Sequence, residues 1–125
     1  THTPKPWTPV LSEIREKVEN ETQARFNSVL LNRYRNGQDS VAWHADDEPE
    51  LGENPVIASV SLGQTRRFQL RHKFLSKKTA SLELHHGDLL VMSGQTQHFW
   101  EHQVPKTKQD ISARLNLTFR NIYCD

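Results

Sequence analysis

"RLNLTFR", residues 114–120, alternates strictly between polar and apolar side chains. In an extended chain successive side chains point to opposite faces, so Leu115, Leu117 and Phe119 share one face and Arg114, Asn116, Thr118 and Arg120 the other. The apolar face belongs in a core, which leaves the polar face lining something. Two unpaired guanidinium groups in a dry interior would cost several kcal/mol each, more than a marginally stable domain tolerates. The arginines therefore face water or an anion. A small dicarboxylate would satisfy both through charge-assisted hydrogen bonds, while a strand face open to solvent is the alternative.

Working outward, the neighbouring segments have the same character. "FNSVLLNRY" (26–34), "PVIASVSLG" (55–63), "RRFQLRH" (66–72), "ASLELHH" (80–86), "DLLVMSG" (88–94) and "ARLNLTFRNIY" (113–123) are short apolar or alternating runs, punctuated by Gly37, Gly63, Gly87 and Gly94. "HHGD" (85–88) reads as a tight hairpin turn. Asn32 and Tyr34 share a face of their strand and form a second polar pair able to donate to the same anion. Ahead of the strands, "WTPVLSEIREKVE" (7–19) predicts one amphipathic helix, with Thr8 as N-cap, Pro9 at the first helical position, and Leu11, Ile14 and Val18 at helical spacing. The expected fold is mainly β, a sandwich or jelly roll with a flanking helix.

The chain has 125 residues, enough for one domain and one core. No apolar run approaches the roughly 20 residues needed to span a bilayer. The single cysteine, Cys124, cannot form an internal disulfide, and an intracellular location is expected on that ground. Net charge is only +1, yet it is segregated. Residues 46–53 hold five acids, and residues 66–78 hold six Arg or Lys and no acid. A basic stretch near an acidic pocket would steer a polyanion, although a solvated strand and loop has the same composition.

Residues 43–52, "WHADDEPELG", contain His44 and Asp46, which an extended chain aims at one point. Two groups this hard to bury point to a metal, but the pair alone is common by chance. A third ligand is required, and His72, His85, His86, His98 and His102 are the candidates. His102 stands out because it lies beyond the expected hairpin and shortly before the terminal strand. Two histidines and a carboxylate with open positions suit non-haem Fe(II) and oxygen chemistry. A closed structural zinc site would call for thiolates that this chain lacks.

The combination of H-x-D, a distal His and R-x-N-x-x-x-R, carried by "NRYRNGQDSVAWHADDEPELG", "PVIASVSLGQTRRFQLRHK", "HHGDLLVMSGQTQHFWEHQVPK" and "RLNLTFR", resembles the AlkB family of Fe(II)- and 2-oxoglutarate-dependent dioxygenases. That resemblance covers roughly residues 7–123. It implies a double-stranded β-helix (jelly roll) as a single catalytic core over residues 1–125, with Fe(II), 2-oxoglutarate and O2 as cofactors. It further implies that His44, Asp46 and His102 hold the iron. Arg114 would pair with the distal carboxylate of 2-oxoglutarate, assisted by Asn32 and Tyr34, with Asn116 and Arg120 near its chelating end. Asp47 matches a position that contacts the methylated base.

The implied activity is oxidative demethylation of bases such as 1-methyladenine and 3-methylcytosine, a direct reversal of DNA damage in which the hydroxylated methyl group leaves as formaldehyde. Alkylated single-stranded DNA or RNA is the implied partner, with no membrane and a monomeric enzyme. A 2-oxoglutarate oxygenase acting on a protein or small molecule, and a metal-holding β-sandwich without turnover, are the competing readings. The family's nucleotide-recognition lid precedes the core, and with only about 43 residues before His44 it is expected to be missing here. The basic stretch Arg66, Arg67, Arg71, Lys73, Lys77 and Lys78 is then expected to hold the strand. Trp43, Phe99 and Trp100 are candidates for stacking on a base, with core packing expected for at least two of them.

Overall fold

The computed structural model describes residues 7–123, so Cys124 and the first six residues lie outside it. The helix α1 (Pro9–Thr22) begins as expected, with the Thr8 hydroxyl accepting from the backbone N–H of Leu11 and Pro9 in the first turn. Eight strands follow: β1 (Ser28–Tyr34), β2 (Val41–His44), β3 (Ile57–Gly63), β4 (Arg66–His72), β5 (Thr79–Leu84), β6 (Leu89–Met92), β7 (Trp100–Val104) and β8 (Arg114–Arg120). A single helical turn, α2 (Thr96–Phe99), precedes β7.

The strands form two four-stranded antiparallel sheets, ordered β1-β8-β3-β6 and β2-β7-β4-β5. This is the expected jelly roll. Strand β8 lies between β1 and β3, and its two faces serve two layers, as the alternation predicted. Leu117 and Phe119 pack with Ala58, Phe26 and Val18 under α1, while a second cluster including Ile57, Phe68, Met92 and Val104 fills the space between the sheets. Ile57 and Ala58 are both fully buried because β3 is covered on both faces. Gly63 ends β3 with φ +91°, and a Cβ there would lie 2.6 Å from the Ala113 carbonyl oxygen, so only glycine lets β3 meet the start of β8.

Two strands went unread and two expectations need correction. Strands β2 and β7 were not separable in sequence, because β2 is four residues long and β7 reads "WEHQV", with no apolar run and little alternation. The "HHGD" segment does turn, with the Asp88 N–H donating to the His85 carbonyl, but it carries the chain from β5 in one sheet to β6 in the other and is no hairpin. None of Trp43, Phe99 and Trp100 joins the buried core: Phe99 is exposed and the two tryptophans are half-buried.

Arg66 is also no part of a solvated basic strand. It is only 3% exposed, and its guanidinium donates to the carbonyls of Asn36, Asp39 and Pro105 while lying over the Tyr34 ring. It thereby ties the β1–β2 connection and the end of β7 to β4. Arg67, one residue on, is exposed and reaches only Glu83 at 4.0 Å. Replacing Arg66 by Ala removes a buried guanidinium and its three hydrogen bonds and is expected to cost about 3 kcal/mol of stability, whereas Arg67→Ala changes it by less than about 0.5 kcal/mol. Urea unfolding of the two variants checks the difference.

Candidate active site

Strands β2 and β7 pair so that His44 lies directly across from His102. Both rings project from the same face into the space between the sheets, with centroids 4.2 Å apart. Asp46, just past the end of β2, brings its carboxylate to the same place, 3.8 Å from His44 Nε2 and 3.5 Å from His102 Nε2. One ligand atom from each of the three residues lies within 4.8 Å of the others. Of the five histidines weighed as a third member, the structure selects His102.

The tautomer at His44 follows from its neighbour. Its Nδ1 lies 2.8 Å from the Ala42 carbonyl oxygen, which only accepts, so in the neutral ring Nδ1 carries the hydrogen and Nε2 offers a lone pair toward Asp46. His102 is 5% exposed and stacks on Phe68, and its Nδ1 is buried without a hydrogen-bond partner. Burial pushes the Asp46 carboxyl up, but the proximity of His102 and the charges of His44 and Arg120 outweigh it, and the group ends below the usual carboxylate range. A carboxylate kept ionised between two imidazoles is a donor set for a divalent transition metal.

A residue that sequence reading missed holds Asp46 in place. Gln97, on α2, is 2% exposed, and its side-chain oxygen accepts from the Asp46 backbone N–H at 2.8 Å. Its own carbonyl accepts from Lys73 Nζ, which also lies 3.8 Å from the Asp47 carboxylate. Nothing in "SGQTQHFW" marks Gln97, since a polar residue in a polar segment gives no period; only the packing shows that it is interior.

The anion side of the cavity is built by the β1–β8 register, which places Asn32 opposite Asn116 and Tyr34 opposite Arg114. Arg114 is 2% exposed, which removes the alternative of a solvent-facing strand. Its Nη2 donates to Ser61 Oγ at 2.8 Å, but Nε and Nη1 are buried with no partner, as is Nε of Arg120. Burial lowers the Arg114 pKa, opposed by Tyr34, whose own pKa is raised by burial against the charge of Arg114. The arginine still remains a cation at neutral pH, because a guanidinium ordinarily loses its proton only far above neutrality. Asn116 donates to Ser59 Oγ and the Val60 carbonyl and accepts from Thr118, which fixes its amide. The two serines of β3 are a second feature that the sequence did not flag.

His44, Asp46 and His102, together with Asn32, Tyr34, Arg114, Asn116 and Arg120, line one cavity of about 70 Å³. Asp47 is exposed at its rim and does not line it. Buried cationic donors without partners beside a cluster of metal-ligating atoms fit a small chelating anion together with a metal ion.

Residues 1–120 match the family of the 2OG-Fe(II) oxygenase superfamily, and the chain belongs to it. Members of this family work with Fe(II), 2-oxoglutarate and O2, and the donor set above suits all of that chemistry. More particularly, the chain is 46% identical over 127 residues to the alpha-ketoglutarate-dependent dioxygenase alkB homolog 3 of Homo sapiens, covering 95% of this chain and 44% of that protein. It is also 46% identical over 129 residues to the DNA oxidative demethylase ALKBH2 of Homo sapiens, covering 98% of this chain and 49% of that protein. The chain thus spans less than half the length of these two relatives. The solved structure of OsALKBH1 shares the fold, with a TM-score of 0.68 at 24% identity over 94% of this chain and 67% of that one.

A dianion that engages the free Arg114 nitrogens stabilises the folded state by mass action. Addition of 2-oxoglutarate with Mn(II) is expected to raise the thermal unfolding temperature of the protein, and Arg114→Met is expected to remove the increment due to 2-oxoglutarate while keeping the increment due to Mn(II).

Proposed function

We propose that this chain is the catalytic core of an oxidative demethylase that acts on N-alkylated bases such as 1-methyladenine and 3-methylcytosine in DNA or RNA. The observation that carries the reading is the single cavity in which a His-Asp-His cluster meets a buried, half-satisfied arginine. Its similarity to a relative named as a DNA oxidative demethylase directs the choice of substrate.

In this reading His44, Asp46 and His102 hold Fe(II) through Nε2, a carboxylate oxygen and Nε2. Arg114 takes the distal carboxylate of 2-oxoglutarate, with Asn32 and Tyr34 completing that end and Asn116 and Arg120 beside the chelating end. When bound, the iron and 2-oxoglutarate would supply the oxidation of the N-methyl group by O2, with succinate and CO2 as co-products; the N-hydroxymethyl group would then leave as formaldehyde with release of a proton, which returns the lone pair to the ring nitrogen. The protein's own contribution is positional. Gln97 fixes the Asp46 backbone, Ala42 fixes the His44 tautomer, Ser61 orients Arg114, and Asp47 at the rim accepts from the amino edge of the extruded base.

Mass spectrometry of a single-stranded oligonucleotide carrying one 3-methylcytosine tests this directly. With Fe(II), 2-oxoglutarate and O2 the methyl group is expected to be lost, and Asp46→Ala is expected to abolish the loss. Conversion of 2-oxoglutarate to succinate with the methyl group intact would move the enzyme to another acceptor, and no conversion at all would leave a metal-holding module.

A further inference from the structure

The segment between β4 and β5 is a built turn whose tip carries two exposed apolar side chains. The ring nitrogen Nδ1 of His72 accepts from the backbone N–H groups of both Phe74 and Leu75 at 3.1 Å, and the His72 and Lys78 N–H groups donate to the carbonyls of Lys78 and Leu75. This bonding holds Phe74 72% exposed and Leu75 55% exposed. Phe99, at the end of α2, is 40% exposed; its ring stacks on His72 with an interplanar angle of 18° and meets Phe74 edge-on at 6.5 Å. Lys73 joins this group to the cavity: its N–H donates to the Phe99 carbonyl, and its ammonium group lies between the Gln97 carbonyl and Asp47.

The other aromatic and basic groups nearby are already engaged. Arg71 covers the Trp43 ring at 4.2 Å and pairs with Glu101 at 3.0 Å. Lys77 and Lys78 are exposed and form no ion pair among the described residues. Two unpaired cations therefore share a turn with the exposed Phe74, whose ring meets the partly exposed Phe99.

We propose that Phe74 and Phe99, with Lys77 and Lys78, form a stacking ledge for a single-stranded nucleic acid, holding the nucleotides that flank the target base. The proposal rests on the demethylase reading for the position of the target base, but not for the binding itself. An exposed ring offers a stacking face to any base, while the lysines neutralise phosphates. In a duplex the bases already stack on one another, so the ledge favours single strands. An anionic membrane would also attract lysines beside Phe74 and Leu75. Two or three apolar side chains are a small anchor, however, and a bilayer seated here would lie across the Lys73–Asp47 pair at the cavity rim.

Fluorescence anisotropy with a short, unmodified, labelled oligothymidylate tests the ledge. Phe74→Ala and Phe99→Ala are each expected to weaken binding roughly tenfold, and Phe74→Trp to preserve it. Lys77→Ala and Lys78→Ala are each expected to reduce the salt dependence by about 0.7 in log–log slope. All variants are expected to keep the Mn(II) affinity of the parent by electron paramagnetic resonance, which separates loss of the ledge from loss of the fold. An oligothymidylate that does not bind, alanine variants that bind it as the parent does, or an equally effective duplex competitor would overturn the proposal. So would binding to phosphatidylserine vesicles that depends on these residues while oligothymidylate binding does not. Ledge-dependent binding with no methyl loss from a methylated oligonucleotide would instead refute the demethylase reading and leave the ledge standing.

Discussion

The site depends on one cross-strand pair. His44 and His102 are 58 positions apart in the chain, yet the antiparallel pairing of β2 and β7 sets them opposite each other, close enough for their rings to touch edge to face. Side chains directly opposite on one face of a sheet have no freedom to diverge, so the geometry is fixed by backbone hydrogen bonds before any ligand arrives. Asp46 needs only to follow His44 by two residues in extended conformation to complete the cluster. The buried Gln97 amide then anchors the Asp46 backbone, where β2 has already ended.

The second constraint is the unfinished hydrogen bonding of Arg114. A folded domain seldom retains a buried cation with two idle donor nitrogens, because such groups cost desolvation without return. Here the neighbours do only part of the work: Ser61 takes one nitrogen, and the Tyr34 ring lies 5.0 Å away under the guanidinium. What remains is a directed, preformed demand for an anion a short distance from the His-Asp-His cluster. A keto diacid, which can give one carboxylate to the arginine and chelate through the other, matches both halves of the cavity.

The sequence made much of this legible, and the reasons differ by residue. Arg114, Asn116 and Arg120 could be assigned to one face because "RLNLTFR" keeps a strict period of two against a continuous apolar partner face. Thr8 and Pro9 marked the start of α1 for local reasons that tertiary structure did not override. Strand β7 stayed hidden because its residues pack in an interior that is itself polar, so the usual contrast between faces is lost. Arg66 looked like one cation among six, and only the convergence of three distant carbonyls makes it structural. The "HHGD" turn was correct as a turn and wrong as a hairpin, since turn chemistry is local while the sheet that receives the next strand is not.

The most direct test of the central claim is where a metal sits. Crystals of the protein grown with Mn(II) and 2-oxoglutarate, measured at an energy where manganese scatters anomalously, are predicted to show one strong peak within coordination distance of His44 Nε2, His102 Nε2 and an Asp46 carboxylate oxygen. A manganese peak elsewhere in the molecule, or an ion that leaves His102 uncoordinated, would contradict the account.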